Sequence, residues 1–325
     1  MKDDIMRSIV IGKFYPPHLG HKYLIDYATA NSDQVTVLVC DSPAYTIAAS
    51  VRQKWLQQIH PTVTVRIIPD IDDDDNSKRW AAHTLEFLGY TPDAVFSSES
   101  YGKPYAAFMN TTHHMVDQKR THVPISATRV RADMYSEWQY LHPIVKADLA
   151  KRIVVVGAES TGTTTLTRAI AAKLHTPWVP EYGRLYSDAI STSKHTWNDA
   201  DFAHIASQQQ VIERQLAVAS QGMVVCDTNA TATQLWQKFY VGATTDDVTD
   251  VASKDIVDLY IITDDDIPFV QDGTRATPRR RRLMQQAFVA HIARTGTAYI
   301  IVRGSRDKRL ASSLESIESL SHNFS

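Results

Sequence analysis

Two histidines three positions apart, His18 and His21, follow a short apolar run and two prolines in SIVIGKFYPPHLGHKYLIDYATA. The pattern reads as a strand, a loop and an amphipathic helix, which places both imidazoles at a helix N-terminus. Unpaired backbone N–H groups and the positive end of the helix dipole favour phosphate there, and each imidazole can donate a hydrogen bond to an oxyanion. Gly20 lets the backbone approach closely. Such an anion site needs no metal ligand. The residues alone also fit two unrelated histidines at a helix start. Far downstream, VPISATRVRADMYSEW offers Ser126, Thr128 and Arg131 at the start of another expected helix. Hydroxyls, backbone amides and a guanidinium that can fork across two phosphate oxygens converge there, which suits a group whose charge rises as a bridging bond breaks. Arg129 could serve as well, with a less telling spacing.

A second constellation is GAESTGTT, residues 157–164, between the apolar run IVVV and TLTRAIAAKL. A glycine-rich loop joining a strand to a helix is the setting of the phosphate-cradling pattern GxxxxGK[ST]. Gly157, Ser160 and Gly162 fit that loop, but the lysine position holds Thr163. The lysine normally bridges the β- and γ-phosphates and offsets the charge that builds up in phosphoryl transfer; threonine carries no charge. Loop amides can still cradle phosphate and Thr164 still offers a hydroxyl to Mg²⁺, so nucleotide binding should survive the change better than catalysis. Asp227 ends the apolar run MVVCD, where a carboxylate would hold Mg²⁺ or its water. Glu181 closes a further strand-like run in WVPEYGRLY.

Two strand, loop and helix openings imply that the chain starts a fold twice. At 325 residues it has room for two domains of roughly 150 residues, each with its own core. Alternating β and α patterns predict an α/β chain with two doubly wound parallel-sheet domains and ligands at the carboxyl ends of the strands. The segment SEWQYLHPIVKADLAKR reads as a helical connector, so the boundary is set near Lys151, giving domains 1–150 and 151–325. A composition 43% hydrophobic and 22% charged, with net charge −2, excludes a disordered or strongly basic chain. No apolar stretch near the start is long enough for a secretion signal or a membrane span. A cytoplasmic protein acting without nucleic acid or membrane is therefore expected. Cys40 and Cys226 each close an apolar run and are expected to be inert, reduced core thiols.

GKFYPPHLGH resembles the GxFxPxHxGH signature of the nucleotidylyltransferase superfamily, and ISATRVR resembles its second signature, ISxTxxR. With SVRQKWL, FSSESYG and the passage into a P-loop fold, the resemblance narrows to the NadR-type bifunctional proteins, nicotinamide mononucleotide adenylyltransferases joined to ribosylnicotinamide kinases. It covers nearly the whole chain. It implies a Rossmann-like nucleotidylyltransferase domain followed by a P-loop NTPase-like domain. It further implies attack of a mononucleotide phosphate on the α-phosphorus of ATP, with Mg²⁺ on the triphosphate and no covalent enzyme intermediate. By motif position His18, His21 and Arg131 act as catalytic triphosphate ligands, with Gly12, Lys13, Phe14, Gly20, Ser126 and Thr128 in the ATP site. Lys13 also fits a solvated lysine. Trp80 is placed either to stack on the nicotinamide ring or to pack in the core, and Asp72 to Asp75 read as a solvated, mobile loop.

In the second half the resemblance sets EYGR, with Glu181 and Arg184, toward the nucleoside, so Glu181 could orient the ribose hydroxyl or accept its proton. Asp272 and Arg275 fall in the DGxR position of the family's lid, and Arg279 to Arg282 read as a solvated basic helix start, though lid arginines could partly replace the missing charge. The implied partners are ATP, nicotinamide mononucleotide and nicotinamide riboside, with a homo-oligomer as a further expectation. Two other functions fit the same residues: transfer to another phosphorylated acceptor such as phosphopantetheine, and a P-loop domain that only senses nucleotide. A DNA-binding repressor is not expected, because nothing ahead of the first strand could enter a groove.

Overall fold

The computed structural model describes residues 5–190, 195–267 and 278–321. The chain divides into two compact units, Met1–Lys146 and Ala147–Ser325. In the first, the elements run β1 (Arg7–Gly12), α1 (Leu19–Ala30), β2 (Gln34–Asp41), α2 (Ala49–Ile59), β3 (Thr64–Pro69), α3 (Ser77–Leu88), β4 (Ala94–Ser97), α4 (Gly102–Phe108), β5 (Thr112–Met115), α5 (Ala127–Ala132), a 3₁₀ turn at Trp138–Tyr140 and α6 (Pro143–Leu149). The five strands are all parallel in the order β3-β2-β1-β4-β5. Apolar runs such as IVIG and VTVLVC suit strands that are covered on both faces. Val10, Val37 and Phe96 pack on one side of the sheet with Ile25 of α1 and Leu56 of α2. Ile9, Leu38 and Val95 pack on the other with Ala81 of α3 and Tyr105 of α4.

The order reverses between β1 and β4, the place where open α/β sheets bind ligands. Pairing of these two strands covers only Ser8 with Ala94 and Ile9 with Val95, although β1 continues to Gly12. The Tyr101 hydroxyl donates to the Ile11 carbonyl at 3.0 Å in this gap.

The second unit adds β6 (Lys151–Val156), α7 (Thr163–Leu174), β7 (Trp178–Val179), α8 (Tyr182–Ile190), α9 (Asp199–Ala219), β8 (Met223–Asp227), α10 (Ala230–Tyr240), α11 (Asp246–Ala252), β9 (Leu259–Thr263), α12 (Pro278–Thr295), β10 (Tyr299–Val302) and α13 (Arg306–Ser321). Its parallel sheet has the order β10-β9-β6-β8-β7. Every residue of β6 and β9 is buried, so the glycine-rich loop leaves the innermost strand of the sheet.

One expectation about the connector is corrected. It is broken rather than continuous: the proline ring of Pro143 disfavours helical backbone at His142, and Leu141 instead bridges to His18. The compact units part between Lys146 and Ala147, a few residues before the expected position near Lys151. The buried guanidinium of Arg152 donates to the carbonyls of Ala147 and Ala150, tying the end of α6 to the second sheet. Among the described residues no helix is long and apolar enough to cross a membrane. Both thiols are free and buried, and burial pushes Cys40 up to about 12.

Candidate functional site

His18 is the N-cap of α1 and His21 is its third residue. The His21 backbone N–H donates to Nδ1 of His18, and the His18 backbone N–H donates to Nδ1 of His21, both at 3.3 Å. An imidazole whose Nδ1 accepts must carry its proton on Nε2, so the reciprocal cap fixes one tautomer for both rings. The rings stack at 3.6 Å between centroids. Burial holds His18 down at about 3, helped by the fields of Arg120 and Arg131; burial, then His18 and the same arginines, hold His21 well below the usual imidazole value. Both are neutral near pH 7, so each carries its ring proton on Nε2. His18 is 5% exposed and its Nε2 is buried without a hydrogen-bond partner.

The pair lines a cavity of about 490 Å³ at the gap between β1 and β4. Gly12, Lys13, Phe14, Gly20, Trp80, Thr128 and Arg131, all expected at the site, lie on its wall. A Cβ on Gly20 would come within 3.0 Å of the His18 ring and 3.2 Å of Ile125, so glycine there lets the ring lie flat on the helix. Phe14, buried and at φ 47°, sets its ring edge against His21 at 5.0 Å. Trp80, on α3, is 8% exposed and packs in the core, and it also lies on the cavity wall.

Three expectations for this site change. Ser126 is not on the cavity wall; it caps α5, its Oγ accepting from the Arg129 N–H at 3.2 Å. Arg129 is held away by Glu137, at 2.5 and 2.9 Å, and by the Pro124 carbonyl. The acidic loop is not merely solvated: Asp73 pairs with Arg79, Asp74 pairs with Lys13 at 2.6 Å, and Asp74 and Asp75 face the cavity.

Residues that the motifs do not mark also build the site. Arg120 lines the cavity and donates to the Ile125 carbonyl at 2.7 Å. Its loop is folded around Asp117, whose carboxylate accepts from the N–H groups of Thr121, His122 and Val123. Arg52, fully buried, donates to the carbonyls of Lys13, Ile47 and Cys40 and so staples the loop after β1 to β2. Only positive charge marked Arg120 in the sequence; Arg52 sits inside SVRQKWL, where an arginine among apolar positions was the signal.

In the second unit the loop after β6 leads into α7, with Gly162 as N-cap at φ 87° and Thr163 and Thr164 opening the helix. Gly157 admits no side chain, since a Cβ would fall 2.3 Å from Thr263 Oγ1 and 2.9 Å from the Thr263 carbonyl. Gln285 of α12 clamps the loop, accepting from the Ala158 N–H and donating to the Thr263 carbonyl. Thr161 bonds Thr263 at 2.7 Å, and Arg309 donates to the Thr161 carbonyl at 2.7 Å. Ser160 adopts φ 60° and its hydroxyl is buried.

Asp227 closes β8 beside this helix start. Burial raises its carboxyl, against the pull of the Thr164 and Thr163 hydroxyls, and its Oδ2 is buried without a hydrogen-bond partner. Glu181 is pushed up to about 7 by burial and by the nearby carboxylates of Asp227 and Glu159, with Arg184 opposing. Arg184 is exposed and reaches Asp188 one turn on. Rings of Tyr186, Trp197, Phe202 and Tyr240 cluster in this unit, and the Tyr240 hydroxyl bonds Glu159 at 2.8 Å. Asp272 and Arg275 lie outside the described residues. Of the basic run, Arg279, Arg280 and Arg282 are exposed as expected, but Arg281 is buried, because it falls on the helix face that carries Met284, Gln285 and Phe288.

Residues 152–309 match the family described as an AAA domain. The chain is similar to the trifunctional NAD biosynthesis/regulator proteins NadR of Escherichia coli (strain K12) and Salmonella typhimurium (strain LT2). Each is 26% identical over 293 residues, covering 83% of this chain and 71% of the relative. Among solved structures it is similar to a NadR protein in complex with NAD and AMP-PNP, with TM-score 0.67 and 20% identity over 96% of both chains. It is similar as well to a NadR protein in complex with NR, with TM-score 0.70 and 20% identity over 98% of this chain and 96% of the other. Two α/β units with parallel sheets are thus a fold shared with these proteins.

Proposed function

We propose that the first unit transfers AMP from ATP to nicotinamide mononucleotide, giving NAD and pyrophosphate, and that the second phosphorylates nicotinamide riboside with ATP. The observation that carries the first reading is the reciprocal histidine cap, which presents two neutral Nε2–H donors at a helix N-terminus beside Arg120 and Arg131. The mononucleotide phosphate oxygen forms a bond to the α-phosphorus, the bond from that phosphorus to the β-bridging oxygen breaks, and pyrophosphate departs. His18, His21, Arg120, Arg131 and the Thr128 hydroxyl hold the triphosphate and stabilise the charge that moves onto the leaving group. Their work is positioning and electrostatics, with no covalent intermediate. Lys13 exchanges Asp74 for phosphate, and the Trp80 face suits a cationic pyridinium.

For the second unit, the support is the loop geometry around Gly157 and Gly162, together with Glu181 poised near 7 as a base for the ribose hydroxyl. The riboside oxygen bonds to the γ-phosphorus, the bond to the β-bridging oxygen breaks, the proton passes to Glu181 and ADP leaves. Aromatic rings around Trp197 and Tyr240 suit the pyridinium. The residues fit Mg²⁺: the orphaned Oδ2 of Asp227 and the Thr164 hydroxyl would hold it against the nucleotide phosphates. When bound, Mg²⁺ neutralises phosphate charge. Thr163 favours a second reading, in which this unit binds nucleotide without turning over. Supplying ATP and Mg²⁺ with the mononucleotide, the riboside or phosphopantetheine, and following NAD, pyrophosphate and ADP separately, tests both. Pyrophosphate from phosphopantetheine alone would overturn the acceptor. No ADP formed with riboside present would favour the second reading.

A further inference from the structure

In the first site the Arg120 guanidinium lies on the cavity wall, and its field reaches both His18 and His21. Two contacts hold its side chain: the Ile125 carbonyl at 2.7 Å and the Glu99 carboxylate at 3.2 Å. Glu99 is exposed, and an exposed ion pair does little to fix a long side chain. The backbone beneath it is more strongly determined. Arg120 stands at φ 53° and Asp117 at φ 47°, a left-handed conformation that is uncommon outside glycine and is sustained by surrounding contacts. Those contacts converge on Asp117. The Arg120 N–H donates to the Asp117 carbonyl at 2.8 Å, closing a turn, and the chain then wraps back over the Asp117 carboxylate. Oδ1 accepts from the N–H and the hydroxyl of Thr121, at 2.7 and 3.0 Å, and Oδ2 accepts from the N–H groups of His122 and Val123, at 3.1 and 3.2 Å. Each oxygen thus meets its capacity within the loop. Burial pushes this carboxyl up, but the N–H groups of Val123 and Thr121 hold it down at about 2, so it stays an acceptor at any working pH. Asp117 itself lies on the cavity wall. A carboxylate so close to a triphosphate site suits that place only when its charge is committed to other donors.

We propose that Asp117 is a positioning residue for adenylyl transfer: its carboxylate winds residues 117–123 into the turn that sets the Arg120 guanidinium against the triphosphate, beside His18 and His21. The proposal rests on the reading of the first unit as an adenylyltransferase. Asp117 touches neither substrate nor reacting atoms, and its effect on the rate passes through Arg120.

The test is a double-mutant cycle on the full chain: wild type, Asp117→Ala, Arg120→Ala and the double variant, each assayed for NAD formation from ATP and the mononucleotide after urea unfolding has shown that its first unit is folded. Arg120→Ala is expected to lower kcat about 100-fold, as for loss of a preorganised charge. Asp117→Ala should come within about threefold of that loss, and the double variant should fall no more than about threefold below Arg120→Ala alone. Asp117→Asn, which keeps one acceptor oxygen, should lose about tenfold, and it takes the place of Asp117→Ala in the cycle if the alanine variant does not fold. A residue that mattered only for folding would harm the Arg120→Ala background as much as the wild type. Losses that multiply, or a change below about threefold in the Asp117 variant, would therefore overturn the proposal. If the wild type makes no NAD from the mononucleotide, the adenylyltransferase reading fails, and Asp117 is judged separately by hydrogen exchange of residues 18–22 during titration with ATP. Midpoints raised equally, by about tenfold, in Asp117→Ala, Arg120→Ala and the double variant support it. An unchanged midpoint in Asp117→Ala, a further rise in the double variant, or no protection in the wild type overturns it.

Discussion

The two candidate phosphate sites of this chain are built differently. The first draws its donors from a helix start whose residues also cap that helix: His18 and His21 cannot lose their mutual hydrogen bonds without disturbing α1. The second separates shape from charge. Its loop is shaped by Gly157, Gly162 and the clamp of Gln285, while Thr163, at the lysine position, brings no charge. Where one set of residues sets both geometry and electrostatics, a short motif reports the chemistry. Where they are separated, the motif reports only the cradle.

That contrast is most exposed to substitution at His21. Replacing it with alanine should lower adenylyl transfer about 100- to 1000-fold, on the order of 3 kcal/mol, as for other preorganised oxyanion donors. Riboside phosphorylation measured on the same preparation should not change. Unaltered NAD formation would break the first half of the comparison.

Glu181→Gln should act on the other side only, lowering riboside phosphorylation about 100-fold. Because Glu181 titrates near 7 and must be ionised to accept a proton, the wild-type phosphorylation rate should climb as pH rises through about 7, and the variant should lose that limb. Adenylyl transfer has no such limb from His18 and His21, which stay neutral well below neutrality. Parallel pH profiles for the two activities would contradict the assignment.

Gly20→Ala should cost roughly tenfold in kcat/KM for the mononucleotide reaction, about 1.4 kcal/mol, because its methyl group would press on the His18 ring at 3.0 Å. The smallest effect is on stability between pH 6 and pH 5, about 1 kcal/mol. His18 titrates at about 3 when folded and about 6.5 when unfolded, so the unfolded chain binds the proton more readily. Stability is full above about 6.5 and is lost progressively as pH falls toward 3, by about 1.4 kcal/mol per pH unit for this one group. Urea midpoints of the first unit's transition at pH 6 and pH 5 should drop more in the wild type than in His18→Asn.

Both sheets were legible in the sequence because buried parallel strands are written as short apolar runs, and the phosphate loops because they join strands to helices. The break in the connector was legible too, in Pro143, although the segment was read simply as a helical connector. Side chains that act through tertiary contact left no local signal. Arg120 depends on a loop wound around Asp117, and Arg281 on which face of α12 meets the loop. Periodicity could have singled out Arg281, three and four positions before Met284 and Gln285, had α12 been phased from its apolar residues rather than read as a run of charge.

The central claim is that one chain carries two transfers aimed at different phosphorus atoms. Feeding it ATP labelled at the α-phosphate or at the γ-phosphate, with mononucleotide or riboside as acceptor, tests this directly. The account predicts α-label in NAD from the mononucleotide and γ-label in the phosphorylated riboside. Gamma-label in neither acceptor product would remove the second activity, and α-label absent from NAD would contradict the account at its root.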